Sequence, residues 1–210
     1  MTRLPLNPWG DNRRARIGLL GGSFNPAHQG HRHVAETALR LLGLDEVWLL
    51  VSPQNPLKPQ AGMAPLAQRL ASAEGVAGGH PRMRATDIET ALGTQFTVDT
   101  IAVLRARFPR VRFVWLMGAD NLAQISRWAR WIRIFRAVPV AILARSPYSQ
   151  RALAAVAARR LSRFRLGDRA ARGLGNRQPP AWVFLHTRLH PASATAIRAR
   201  RASFVEGANP

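Results

Sequence analysis

The sequence predicts an α/β protein built on a doubly wound parallel sheet, and three observations carry that expectation. Short apolar runs recur at 17–20, 47–51 (VWLLV), 113–117 (FVWLM), 138–143 and 182–185 (WVFL), the pattern of strands buried on both faces. Segments with apolar residues at helical spacing lie between them, as at 31–42 and 97–108. Strands alternating with helices give a parallel sheet with helices on both faces.

In chain order, residues 1–15 hold two prolines and no periodic pattern, and are expected to form a loose extension. A strand at 17–20 runs into Gly21-Gly22-Ser23-Phe24-Asn25-Pro26, and a helix over 31–42 places Val34, Ala35, Ala38, Leu39, Leu41 and Leu42 on its apolar side before Gly43 ends it. The strand at 47–51 completes a strand–helix–strand unit. A proline-rich loop (SPQNPLKP, 52–59) precedes a helix at 65–75 with Pro65 near its start. A third strand is expected at 83–88, a helix at 97–108, a strand at 113–117 closed by Gly118-Ala119-Asp120, an aromatic segment with Trp128, Trp131, Ile132 and Phe135, and a fifth strand at 138–143. Beyond Pro147 an Ala/Arg-rich helix is expected at 150–164, an exposed, mobile loop at 167–180 (GDRAARGLGNRQPP), and a last strand at 182–185. Ser193-Ala-Thr195-Ala-Ile-Arg198 reads as a helix start with Ser193 as its cap. The expectation is one domain over 16–201 and a tail at 202–210: a Rossmann-like doubly wound sheet with a small C-terminal helical part.

With 210 residues, 47% of them hydrophobic, the chain is long enough to bury a core. No apolar run nears the roughly 20 residues that cross a bilayer, and the arginine-bearing start lacks the apolar centre of a signal peptide, so a cytoplasmic protein is expected. With no cysteine, disulfides and thiolate metal sites are excluded. Lys and Arg number 31 against 11 Asp and Glu, a net charge of +20 that suits an anionic partner, either nucleic acid or a phosphorylated small molecule. Every basic residue except Lys58 is Arg, which marks a bias of the whole composition, so most of the excess reads as solvated surface.

The chemistry concentrates at 16–35. Gly21 and Gly22 allow close backbone approach, Pro26 stiffens the turn, and His28 and His31 share one face of a helix start whose unpaired N–H groups favour an anion. Phosphate binding is the first reading; a metal pair, or one ligand-facing histidine beside a solvent-facing one, is the alternative. No carboxylate or third histidine lies close in sequence except His33, which falls on another face. Lys58 suits a site wanting a compact ammonium, or is a chance survivor on a surface loop. Asp120, at the carboxyl edge of the sheet, is placed to accept from ribose hydroxyls or to cap the next helix. On residue grounds alone Trp128 and Trp131 read as core, and Asp87, Glu89 and Asp99 as loop-ordering groups. Neither the G-x-G-x-x-G fingerprint nor the G-x-x-x-x-G-K-[ST] loop is present.

The run Gly21, Gly22, Ser23, Phe24, Asn25, Pro26, His28, Gly30, His31 resembles the signature of the nucleotidylyltransferases related to class I aminoacyl-tRNA synthetases, and Ser193, Thr195 and Arg198 match that superfamily's C-terminal motif. The closer resemblance is to bacterial nicotinate-nucleotide adenylyltransferases; the sister pantetheine-phosphate enzymes carry Thr in place of His28. The likeness extends over roughly 16–201, through Asn55-Pro56-Leu57-Lys58, Arg69-Leu70, Asp87-Ile88-Glu89, the Phe96–Thr100 stretch, Met117–Leu122 and Trp128–Trp131. Asn25 stands where Asp is commoner and Ala129 where an aromatic is frequent. The resemblance implies transfer of the adenylyl group of ATP to nicotinate mononucleotide, with Mg²⁺ arriving on ATP and no dedicated protein metal site. It implies His28, His31 and Arg198 as the catalytic set, and Gly21, Gly22, Ser23, Phe24, Lys58, Ser193 and Thr195 around ATP. Thr97, Asp120 and Trp128 are implied to hold the mononucleotide, with backbone N–H groups near Thr97 and Ala129 receiving its carboxylate. Nicotinamide mononucleotide as acceptor, or a basic nucleic-acid-binding protein on the same fold, are the competing readings; no nucleic-acid partner and no membrane are expected, and a homo-oligomer is left open.

Overall fold

Each apolar run becomes a strand that sends alternate side chains to opposite faces of one sheet. The structure, a computed structural model, describes residues 12–53, 61–144, 149–187, 194–195 and 197–198; Lys58 and Ser193 lie outside them. Strands β1 (Arg16–Gly22), β2 (Glu46–Val51), β3 (Met83–Thr86), β4 (Arg112–Gly118), β5 (Val140–Ala144), β6 (Arg165–Leu166) and β7 (Trp182–His186) are arranged in the order β3-β2-β1-β4-β5-β7-β6, and every neighbouring pair is parallel.

Ile17, Leu19, Trp48 and Leu50 enter the core on one face, Leu20, Val47, Leu49 and Val51 on the other. Helices α1 (Gln29–Leu42) and α2 (Leu66–Ala77) cover the second face. After the short α3 (Ile88–Ala91), the helices α4 (Thr97–Arg107), α5 (Ala119–Gln124), α6 (Trp131–Ala137), α7 (Ser149–Leu153) and α8 (Val156–Arg160) contribute to the first. The sequence expectation of a doubly wound parallel sheet is met. Among the described residues no helix is long and apolar enough to cross a membrane.

The strand order reverses between β1 and β4, so the chain leaves these neighbours toward opposite faces and a crevice opens beyond their carboxyl ends. Gly21-Gly22 and Gly118-Ala119-Asp120 are the residues that border it.

Several boundaries differ from the sequence reading, each through packing. The strand at 83–88 stops at Thr86, whose Oγ1 accepts from the Ile88 N–H and starts α3. The fifth strand begins at Val140 because Val138 still closes α6 through Ile134. The single helix over 150–164 is two short helices and a 3-10 turn, since Ala155 is extended (ψ 157°) and redirects α8 so that Ala157 and Ala158 reach the core. The mobile loop expected at 167–180 is instead a 3-10 run, Asp168–Asn176, with Ala171 and Leu174 buried beside α1 and β4. Residues three apart eclipse in a 3-10 turn, so two apolar side chains suffice to anchor it.

Candidate active site

The close approach of Gly21 to its surroundings is first of all a matter of strand packing. A Cβ there would run into the buried Trp115 indole on the neighbouring β4, so only hydrogen fits. Past Gly22 the chain turns at Phe24, which is buried and holds φ 47°, a conformation unusual for an aromatic residue. Its ring packs on the His31 imidazole at 4.8 Å.

The two histidines close the first turn of α1 on each other. His28 is the N-cap, its Nδ1 accepting from Gly30 N–H at 3.1 Å; His31 Nδ1 in turn accepts from the His28 N–H at 3.2 Å. This is a capping box made of imidazoles, with ring centroids 3.9 Å apart. With both Nδ1 atoms accepting, each neutral ring carries its proton on Nε2, the tautomer that donates. The helix therefore starts at Gln29 rather than His31. His31 lines the crevice, whereas His28 is nearly buried at the cap and outside its wall.

The C-terminal motif meets the glycine loop across 173 residues of sequence. Arg198 donates through Nη1 to the Asn25 carbonyl and through Nη2 to Thr195 Oγ1 at 3.4 Å. Thr195, Arg198, His31 and Phe24 thus share the wall of a cavity of about 210 Å³. The Asn25 amide donates to Gly62 O at 2.8 Å and accepts from Ala64 N–H at 3.2 Å, using both halves of the group. An aspartate at this position would have no donor for the first of these bonds.

A second cavity, of about 390 Å³, adjoins the first, with Gly21, Gly22, Ser23, Asp120 and Asn121 in both walls. Thr97, Arg127, Trp128, Ala129 and Glu89 line this cavity and not the first. Trp128 is half-buried and meets Trp115 edge-on at 6.4 Å, so it both packs on the core and forms part of the cavity wall. Asp120 is not the cap of α5; Gly118 holds that position, and any Cβ on Gly118 would strike the Asp120 carboxylate. Glu89 is buried, accepts from Thr100 Oγ1 at 2.9 Å and bonds Ser52; burial outweighs these bonds and holds its carboxyl above the ordinary glutamate range. Asp99 is paired with Arg130 at 2.6 Å, which supports the loop-ordering reading of that acid. Among the described residues no three His, Asp or Glu groups lie together as a metal site.

Arg69 escaped the sequence reading as a structural centre. It is 2% exposed and donates to the carbonyls of Ser23, Ser52, Pro53 and Ala64 at 2.7–2.9 Å, tying the ends of β1 and β2 to the segment before α2. In a chain whose basic residues are almost all Arg, nothing in composition separates a buried arginine from a solvated one. Arg127 and Asn121, both crevice residues, were likewise hidden, since no local pattern brings them beside Gly21.

A parallel sheet with its ligand crevice at the β1/β4 switch point, a glycine loop leading to a histidine-capped helix and an arginine arriving from the C-terminus define a nucleotidyltransferase of the cytidylyltransferase-like class, whose family model matches residues 19–200. The chain is 56% identical to a nicotinate-nucleotide adenylyltransferase of Gluconobacter oxydans, over 87% of this chain and 93% of that protein, and 55% identical to one of Cereibacter sphaeroides, over 87% and 96%. It belongs to the nicotinate-nucleotide adenylyltransferase family. In fold it resembles the Plasmodium falciparum nicotinic acid mononucleotide adenylyltransferase solved with NaAD (TM-score 0.66, 15% identity, covering 88% of this chain and 83% of that one) and the same enzyme with APC (TM-score 0.64, 14% identity, 88% and 83%).

Proposed function

We infer that the protein transfers the adenylyl group of ATP to nicotinate mononucleotide, giving nicotinate adenine dinucleotide and pyrophosphate. The observation that carries this reading is the shared wall of the two cavities. One cavity has the features of a triphosphate site and the other an aromatic wall suited to a pyridine ring, and the two substrates would meet at Gly21, Gly22, Ser23 and Asp120.

In this mechanism a phosphate oxygen of the mononucleotide attacks the α-phosphorus of ATP, a new P–O bond forms, and the bond to the β-phosphate oxygen breaks as pyrophosphate leaves. The protein's part is to place two anions in line and to stabilise the charge that grows on the leaving group. The His31 Nε2–H is aimed by its Nδ1 bond to the helix cap, His28 forms that cap and packs its tilted ring on His31, and both imidazoles would serve the ATP phosphates. Arg198 and Thr195 would take the β/γ end, with Gly21, Gly22, Ser23 and Phe24 shaping the loop around ATP; Lys58 and Ser193 are assigned to the same end by motif alone. Asp120 would accept from a ribose hydroxyl, Trp128 would stack on the pyridine, and the backbone at Thr97 and Ala129 would receive its carboxylate. Mg²⁺ would enter with ATP and would supply neutralisation of the phosphate charge. Such a reaction draws on cytoplasmic ATP and needs no nucleic-acid or membrane partner.

The test is pyrophosphate release by purified protein with ATP, Mg²⁺ and either nicotinate or nicotinamide mononucleotide. Release with a clear preference for the nicotinate form is expected. No release, or preference for the nicotinamide form, overturns the assignment.

A further inference from the structure

The acceptor cavity poses an electrostatic question that the backbone contacts at Thr97 and Ala129 leave open: how a pocket tells a pyridine carboxylate from its neutral carboxamide. The acceptor's phosphate has to reach the wall shared with the ATP cavity, so its pyridine ring would lie away from that wall, beside Thr97, Trp128 and Ala129, which line the acceptor cavity alone. Of the charged groups near these three, Asp99 and Arg130 neutralise each other at 2.6 Å, and the Arg130 guanidinium sits 5.8 Å from the exposed Phe96 ring. Glu89 is buried and engaged with Thr100 and Ser52. Asp120 belongs to the shared wall. That leaves Arg127, the cation that lines the acceptor cavity; among the described residues it has no carboxylate partner.

Its placement is local and firm. Arg127 ends the 3-10 turn Ile125–Arg127, which is anchored by the fully buried Ile125 and closed by the Trp128 N–H on the Ile125 carbonyl at 2.9 Å. Arg127 is exposed and directly precedes Trp128, and both border the cavity that the pyridine ring would enter. Ala129, a small residue, lines the same cavity.

We propose that Arg127 is a specificity-determining residue, its guanidinium meeting the carboxylate of the pyridine mononucleotide and so favouring nicotinate over nicotinamide mononucleotide. A bond from a guanidinium to a carboxylate is charge-assisted, whereas a carboxamide offers only a neutral oxygen and an N–H₂ group that an arginine cannot accept from. The inference rests on the adenylyltransferase reading and specifies how its acceptor is selected.

The experiment compares the wild-type protein with Arg127→Gln and Arg127→Lys, measuring kcat/KM for both mononucleotides at saturating MgATP, with thermal melts to confirm folding. Calorimetric titration of each mononucleotide gives the same ratio without turnover. In Arg127→Gln the nicotinate-to-nicotinamide ratio is expected to fall at least about tenfold, through KM for nicotinate mononucleotide rather than kcat, while Arg127→Lys keeps most of it. Raising the salt concentration should narrow the wild-type ratio toward that of the Gln variant. An unchanged ratio, or an equal loss with both acceptors, overturns the proposal; the second result would make Arg127 a phosphate contact or a structural residue. Wild-type protein inert with both mononucleotides overturns the adenylyltransferase reading and this inference with it, and the wild-type rates alone tell that failure from a failure of Arg127.

Discussion

His31 does two jobs through its two ring nitrogens. Nδ1 accepts from the His28 N–H at the start of α1, and that bond orients Nε2 toward the crevice side. Replacing His31 by Ala removes a donor to the transferring phosphates and one half of the cap. Turnover is expected to fall by about 10²–10³-fold, the scale of losing a donor to developing charge, with a stability loss of about 1 kcal/mol from the cap. Steady-state kinetics and a thermal melt separate the two effects; near-normal kcat in a folded variant would remove His31 from the catalytic set. The sequence exposed this residue because glycine loops and helix starts have short, local signatures. It concealed that His28 serves the cap, since residues at i and i+3 look equivalent until the backbone decides which is N-cap and which is the third helical residue.

The elements are held around the crevice by a buried cation. Arg69 on α2 satisfies four carbonyls drawn from the ends of β1 and β2 and the segment before its own helix. In Arg69→Met these acceptors lose their donors with little access to water, which should cost about 3 kcal/mol and lower Tm by about 10 °C at this chain length. A melt within about 2 °C of wild type would show that the loops hold without it. A carbonyl cluster has no sequence signal, because carbonyls belong to every residue and only tertiary contact assembles them. The 3-10 run Asp168–Asn176 carries the same lesson: its Gly and Arg content reads as loop, yet Ala171 and Leu174 find a surface between α1 and β4. Local composition measures how much apolar surface a segment has, not whether a matching surface lies near.

For the whole molecule, scarce acids set the pH response. Burial pushes the Glu46 carboxyl up, but the Trp48 indole N–H, Arg13 and Arg84 outweigh it and leave it below the ordinary range. Desolvation of Asp45 is likewise outweighed by Arg16. Both groups contribute stability that is present above their unfolded values and lost as pH falls through their folded ones. Glu89 has the opposite sign: its raised value means stability fully present below the unfolded range, near about 4.3, and lost as pH rises through the folded one. The Tm of Glu89→Gln relative to wild type should therefore climb as pH rises from the ordinary glutamate range upward, because the amide has no charge to desolvate. A difference that stays flat over that rise would mean Glu89 ionises in the folded protein as it does in the unfolded chain.

By itself the sequence determined the alternation of buried strands and helices, the glycine loop with its two histidines and the distant Ser-x-Thr-x-x-Arg partner, because each is written in hydrophobic period or in residues a few positions apart. Only the tertiary structure decided that β1 and β4 are neighbours, that Arg198 returns to Asn25, and that Arg127, Trp128 and Asp120 stand on one cavity. The first two join residues far apart in sequence, and all three follow from how the two faces of the sheet are packed rather than from any one stretch of chain.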